Sequence, residues 1–132
     1  MAIWNLFTNN DTASPSAYEQ GMQAEQRACN YLKKQGLKII TRNYTCRGGE
    51  LDIIARHGKV LVFVEVRMRK NSQFGGALAS VTPTKQRHLR HAAYTYLQQQ
   101  GINSARTQMR FDIIAFEQQP DQIRWIQNAF GE

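Results

Sequence analysis

Two apolar runs near the middle of the chain, Leu51 to Ala55 and Val60 to Val66, flank Arg56-His57-Gly58-Lys59. Their Val and Ile content favours a pleated backbone, and Gly58 marks a turn, so the pattern predicts a β-hairpin. With His57 and Gly58 as a two-residue loop, residue 56 faces 59 and Asp52 faces Phe63. Side chains two apart along a strand share a face. Asp52, Phe63, Glu65 and Arg67 then project to one side. Leu51, Ile53, Val60, Val62, Val64 and Val66 line the other. In this register Asp52 and Glu65 are diagonal neighbours, roughly 7 Å apart at the backbone. A slip of one residue would send them to opposite faces.

On either side of the hairpin the apolar period changes to that of a helix. A first helix is expected from about Ala17 to Gln35, stopped by Gly36. Its inward stripe is Gly21, Ala24, Ala28, Tyr31 and Leu32. Glu25 lies on that stripe, where a carboxylate is costly unless it is paired or binds a metal. Leu37 to Tyr44 reads as a strand, and Gly48-Gly49 either lets the backbone bend sharply or approach a ligand closely, or is plain turn chemistry. Thr82 and Pro83 open a second helix as N-cap and first helical residue. Its stripe is Leu89, Ala92, Ala93, Tyr96 and Leu97. One turn earlier, Lys85 and Gln86 point to the sheet at a helix N-terminus, which favours an anion. A strand over Arg110 to Phe116 and a last segment around Ile123 to Ile126 follow. Phe111-Asp112-Ile113-Ile114-Ala115 echoes Leu51-Asp52-Ile53-Ile54-Ala55. This reads as two strands of like chemistry, with Asp112 either orienting a basic residue near the site or, by default, in a structural salt bridge.

Composition narrows the setting. The 132 residues suit one domain over 17–132, behind a polar, breaker-rich tail at 1–16 that also carries Trp4, Leu6 and Phe7. No apolar run approaches membrane-spanning length, and the first residues do not read as a secretory signal. Cys29 and Cys46 match no zinc pattern and suit a reducing cytoplasm. Seventeen Lys and Arg against ten Asp and Glu give a net charge of +7, which favours a polyanion such as nucleic acid. Candidate phosphate contacts are Arg47, Arg67, Arg69, Lys70, Lys85, Arg87 and Arg90. Phe74, in the segment after Lys70, is expected to stack on a base, to wedge into a junction, or to tuck against the domain. His88 and His91 lack a third ligand and are set aside as a metal site.

Asp52 and Glu65 beside a cation suit Mg²⁺ or Mn²⁺, which take oxygen ligands and activate water at a phosphodiester. The ordinary alternative is a surface strand with Glu65 paired to Arg67.

The order of these elements resembles the PD-(D/E)XK, or restriction-endonuclease-like, nucleases. Gly21-x-x-Ala24-Glu25, Gly48-Gly49-Glu50-Leu51-Asp52-Ile53-Ile54-Ala55 and Val64-Glu65-Val66-Arg67 are also similar to archaeal-type Holliday junction resolvases. The nearest resemblance is to the YraN family of uncharacterised bacterial proteins, from about Tyr18 to Phe130. Phe74-Gly75-Gly76-Ala77, Ser80-Val81-Thr82, Lys85-Gln86 and Arg110 to Phe116 add to it. The resemblance implies an α/β fold with a central mixed sheet flanked by helices, an α-β-β-β-α-β core. It implies a Mg²⁺- or Mn²⁺-dependent phosphodiesterase. By motif, Asp52 and Glu65 would hold the metal, the Val66 carbonyl could complete it, and Glu25 would assist. Gln86 or Lys85 would contact phosphate or help place a water. The chain departs from the pattern at Arg67, where the nucleases have lysine. Arginine stays protonated, so it can clamp a phosphate but cannot serve as a base. The leading expectation is an endonuclease acting on branched or structured DNA, with a homodimer if both strands of a junction are cut. A nucleic-acid-binding module without catalysis is the second. An interaction protein that docks through Trp4 to Phe7 or Trp125 is the third.

Overall fold

Helix α1 (Ala17–Lys34) starts from a reciprocal cap. Ser16 Oγ accepts the Glu19 N–H and the Glu19 carboxylate accepts the Ser16 N–H, both at 3.1 Å. These two bonds satisfy donors that a helix start otherwise leaves unpaired. At the other end Gly36 takes φ 95°, and the Leu37 N–H reaches back to the Leu32 carbonyl at 3.0 Å. The computed structural model describes residues 16–70, 76–118 and 121–131. The expectations placed on Trp4, Leu6 and Phe7 in the tail, and on Phe74, lie outside those residues.

The chain continues through β1 (Lys38–Cys46), β2 (Gly49–His57), β3 (Val60–Arg69), a short α2 (Gly76–Ser80) and α3 (Pro83–Gln99). A 3₁₀ turn (Ser104–Arg106), β4 (Met109–Gln118) and β5 (Asp121–Phe130) complete it. The sheet order is β1-β2-β3-β4-β5. All neighbours are antiparallel except β3 and β4, which run parallel. A parallel pair needs a long crossover, and α3 lies in it. The fold is therefore α/β with a mixed sheet flanked by helices, as expected. No helix among the described residues is long and apolar enough to cross a membrane.

Both faces of the sheet are covered. Ala24, Ala28, Cys29 and Leu32 of α1 meet Ile53, Ala55, Val62, Val64, Ile114 and Phe116. On the other face Leu89, Ala92, Ala93, Tyr96 and Leu97 of α3, with Ala77 of α2, meet Leu51, Ile54, Leu61, Phe63, Phe111, Ile113 and Ala115. Strands buried on both sides read as continuous apolar runs rather than alternating ones. Phe63 lies in the α3-side core, opposite Val62 and Val64, as the alternation predicts.

The hairpin register also differs from the expected one. His57 pairs with Val60 and Ile53 with Val64, so the loop is Gly58-Lys59. Gly58 holds φ 62°, and a two-residue hairpin turn with a positive φ first favours glycine in that place. The offset is two residues, so the faces survive the shift.

A second departure lies beside it. Leu51 and Ile53 are two apart, yet they enter opposite cores. Across from them, Arg42 pairs with Ile53 and Tyr44 with Leu51, while Asn43 between them takes φ 53°. Asn enters this left-handed region more readily than other side chains. Both strands kink there, at Asn43 and Asp52. The glycine pair serves a turn and a close approach to helix backbone. Gly48 takes φ 91°, and a Cβ at 49 would stand 2.5 Å from the His88 carbonyl oxygen of α3, so that contact requires glycine.

A candidate metal centre at the kinked hairpin

The kink aims Asp52 out of the regular ladder. The last pairs between β2 and β3 are Ile53 with Val64 and onwards. One step further Asp52 would lie directly across from Glu65. Instead, Asp52 Oδ2 accepts the Val66 backbone N–H at 2.8 Å. Glu65 is buried, 6% exposed. Arg67 Nη2 stands 2.8 Å from Glu65 Oε2 and Lys85 Nζ 3.7 Å from the same oxygen. Lys85 comes from the first turn of α3, whose N-cap Thr82 accepts the Lys85 N–H through its hydroxyl at 3.2 Å. Burial pushes the Glu65 carboxyl up to about 8, aided by the Asp52 charge and a hydrogen bond shared with Asp52, against the pull of Arg67 and Lys85. Two close carboxylates cannot both ionise cheaply, so Glu65 keeps its proton.

Glu25 approaches Asp52 from the α1 side. Burial and then the Asp52 charge raise its pKa, while Arg42 and Asn43 lower it. Arg42 Nη2 is 3.6 Å from Glu25 Oε1, close enough for an ion pair. That oxygen is buried without a hydrogen bond among the described residues. A hollow of about 160 Å³ opens here, lined by Gly21, Ala24, Glu25, Asp52, Val66 and Met68. The donor set is oxygen only, which suits Mg²⁺ or Mn²⁺ over a softer ion. Among the described residues no three His, Cys, Asp or Glu side chains form a tight metal-holding group. Mg²⁺ does not require one, since it often binds through one or two carboxylates and keeps its waters. Glu25 Oε1, buried with no hydrogen bond and facing the hollow, is an oxygen that a cation would satisfy.

The profile of uncharacterised protein family UPF0102 matches residues 24–116, the stretch that holds Glu25, Asp52, Glu65 and Lys85. The chain belongs to family UPF0102. A UPF0102 protein of Aeromonas hydrophila is 54% identical over 116 residues, covering 88% of each chain. One of Colwellia psychrerythraea is 41% identical over 131 residues, covering 97% of this chain and 99% of its own. This is the family that the sequence resemblance named as YraN.

In this UPF0102 chain the structure brings Asp52, Glu65, Arg67 and Lys85 together, with the Val66 N–H and Glu25 on the α1 side. The other expected residues make the following contacts. The Gln86 amide donates to the Val81 carbonyl at 3.0 Å. Arg87 donates to the Thr84 hydroxyl at 3.0 Å and Arg90 to the Gly131 carbonyl at 3.2 Å. Arg69 donates to the Met68 carbonyl at 2.7 Å. Arg47 and Lys70 are exposed, and the Arg47 carbonyl lies 2.9 Å from His91 Nε2. Both cysteines are free.

Asp112 has a structural task, as expected. It is fully buried and accepts from Arg110 Nε at 3.0 and 3.1 Å, from Trp125 Nε1 at 2.9 Å and from the Asn128 N–H at 2.9 Å. Two features escape the sequence reading. A hollow of about 460 Å³ beside Lys85 is lined by Thr45, Cys46, Gly48, Gly49, Glu50 and His88. His88 follows Lys85 by three residues, which shares a helix face; that spacing was the available signal. Glu117 is also buried, held by Gln122 at 2.7 Å and Arg124 at 3.6 Å. The alternation of Phe111, Ile113 and Ala115 points to it.

Proposed function

We propose that this chain is a divalent-cation-dependent endonuclease that hydrolyses phosphodiester bonds in branched or structured DNA. One observation carries the reading: Asp52 and Glu65 are gathered at a kink beside Arg67 and Lys85. A surface that only bound nucleic acid would have no use for gathered carboxylates where phosphate must sit. Mg²⁺ or Mn²⁺ held there supplies water activation and charge stabilisation. Asp52, Glu65 and the Val66 carbonyl would hold it, with Glu25 assisting across the hollow. A cation on Glu65 would displace its proton and loosen the Arg67 contact. Arg67 is then free to clamp a phosphate bidentately. Lys85, in the first turn of α3, adds charge where the helix already favours an anion. The preference for branched DNA follows the resolvase resemblance, and cutting both strands of a junction calls for two copies of the chain. The free cysteines support a cytoplasmic setting.

The second reading is a catalytically inactive nucleic-acid-binding module. The contact that favours it is Arg67 on Glu65 at 2.8 Å, where an arginine occupies an oxygen that a metal would take and cannot act as a base. The deciding experiment is cleavage of labelled junction, flap, single-stranded and duplex DNA with Mg²⁺ or Mn²⁺. Wild type runs beside Asp52→Ala and Glu65→Ala, with binding measured on the same samples. Cleavage abolished in both variants while binding persists supports the nuclease. Binding without cleavage in wild type supports the module.

A further inference from the structure

Far from the carboxylates, on the α3 side of the sheet, lies a hollow of about 410 Å³. Arg56, Lys59, Leu61, Ile102, Arg106, Thr107 and Gln108 line it. Leu61 belongs to the α3-side core and Ile102 packs against it. The Leu61 N–H bonds to the Gln108 carbonyl at 2.9 Å, tying the start of β3 to the approach to β4.

Three of the seven lining residues are cations and none is acidic. Elsewhere Arg42, Arg67, Lys85, Arg110 and Arg124 each stand on a carboxylate. Arg56, Lys59 and Arg106 have no ion-pair or side-chain hydrogen-bond partner among the described residues. All three are exposed. Crowding like charges around one hollow is unfavourable unless an anion fills it, and an apolar floor strengthens the attraction for that anion. The Thr107 hydroxyl is engaged by the Asn103 carbonyl at 2.7 Å, which leaves the Gln108 side chain as the neutral donor. No aromatic ring lines the hollow, so bases have nothing there to stack on.

We infer that Arg56, Lys59 and Arg106 form a second phosphate-binding locus, which holds the sugar-phosphate backbone of a nucleic acid away from the carboxylates. The inference rests on the nucleic-acid reading above and adds where a second part of the substrate runs. Phosphate contacts of this type fix position without reading sequence. Leu61 and Glu65 are four residues apart on β3, roughly 13 Å at ~3.3 Å per residue. A strand with one phosphate per ~3.4 Å of duplex axis covers that distance within a few nucleotides.

The test measures binding of a labelled duplex, a labelled junction, inorganic phosphate and a mononucleotide across a salt series, with junction cleavage in Mn²⁺ read on the same samples. The proteins are wild type, the triple variant Arg56→Ala/Lys59→Ala/Arg106→Ala, the charge-keeping Arg56→Lys/Arg106→Lys and Asp52→Ala. The triple variant should bind every sequence more weakly, with a slope of log affinity against log salt smaller by about 2 to 3, at ~0.9 per phosphate contact. The charge-keeping variant should hold the wild-type slope. An unchanged slope in a folded triple variant, with cleavage by wild type intact, overturns this locus and leaves the nuclease standing. A reduced slope without cleavage by wild type keeps the locus and overturns the nuclease. No binding by wild type overturns both. A triple variant that loses only inorganic phosphate or a mononucleotide, with oligonucleotide binding untouched, overturns the locus in favour of a small phosphate ligand.

Discussion

The Asp52 carboxylate accepts the Val66 backbone N–H at 2.8 Å, so the candidate cation ligand also closes the hairpin ladder. Substitution separates the two tasks. Asp52→Asn keeps an oxygen for the Val66 N–H and loses the charge. Asp52→Ala leaves that N–H without its partner, at a cost of about 1–3 kcal/mol. We expect the Asn variant to unfold close to wild type and the Ala variant clearly below it. Both should lose cleavage and any stabilisation by Mn²⁺. Urea unfolding with and without Mn²⁺ reads both effects; an Asn variant that still responds to Mn²⁺ would move the cation elsewhere.

Glu65 makes a pH prediction. Burial, the Asp52 charge and the shared hydrogen bond lift its pKa from 4.5 to about 8. Between those values the folded chain holds a proton that the unfolded chain has lost. Metal-free stability therefore falls as pH rises through that window and levels off above it. Glu65→Gln should remove this fall. A divalent cation competes with the proton, so Mn²⁺ should raise the melting temperature more at the top of the window than at the bottom. Melting curves across the window, with and without Mn²⁺, give the answer.

Asp112 should behave in the opposite way to Asp52. Its oxygens are all engaged by Arg110, Trp125 and Asn128, so Asp112→Ala leaves Arg110 without its counter-charge and two N–H donors unmet. The expected loss is about 3–5 kcal/mol, with no change in cation response. Trp125 fluorescence during unfolding follows it directly. Equal stability of Asp112→Ala and wild type would contradict the structural assignment.

Two glycines should part company. Gly49→Ala drives a methyl group into the His88 carbonyl and should cost about 1–3 kcal/mol, as overpacking does. Gly21→Ala meets nothing within 4 Å and should stabilise α1 by roughly 0.5–1 kcal/mol. Urea midpoints of the two variants test the pair.

At Arg67, the lysine of the nuclease pattern is the informative replacement. Arg67→Lys keeps a cation for Glu65 and for phosphate, and is expected to cleave at least as fast as wild type. Arg67→Ala removes the cation and should slow cleavage by about 100-fold. Single-turnover rates on a labelled junction compare them, and equal rates in the Ala variant would remove Arg67 from the chemistry.

Helix α3 is legible in the sequence in full. Thr82 and Pro83 announce its start, and all five stripe residues from Leu89 to Leu97 are buried. Helix α1 ends at Lys34, one residue short of the expected Gln35, because the signals are local. The hairpin loop is less legible. His57-Gly58 and Gly58-Lys59 have similar turn composition, and only backbone geometry separates them. The kink at Asp52 is hidden because half of it resides in Asn43 on another strand. Gln86 and Arg90 carry plausible chemistry at plausible spacing, but their rotamers turn to Val81 and Gly131, which no periodicity records. Glu117 is masked as the polar end of an apolar run. The echo between the two Asp-Ile-Ile-Ala strands proves deeper than composition. Asp52 and Asp112 each accept a backbone N–H from a neighbouring strand, from Val66 and Asn128.

Glu25 rides on one core, Lys85 on the other, and Asp52 and Glu65 belong to the sheet between them. The site thus has no packing of its own. Its alignment is set by how two separately packed helices settle on one twisted sheet. Trimming Leu32 on one side or Leu97 on the other would displace one member of the constellation while leaving the rest in place. Such changes, remote from every charged group, would act as misalignments of the site.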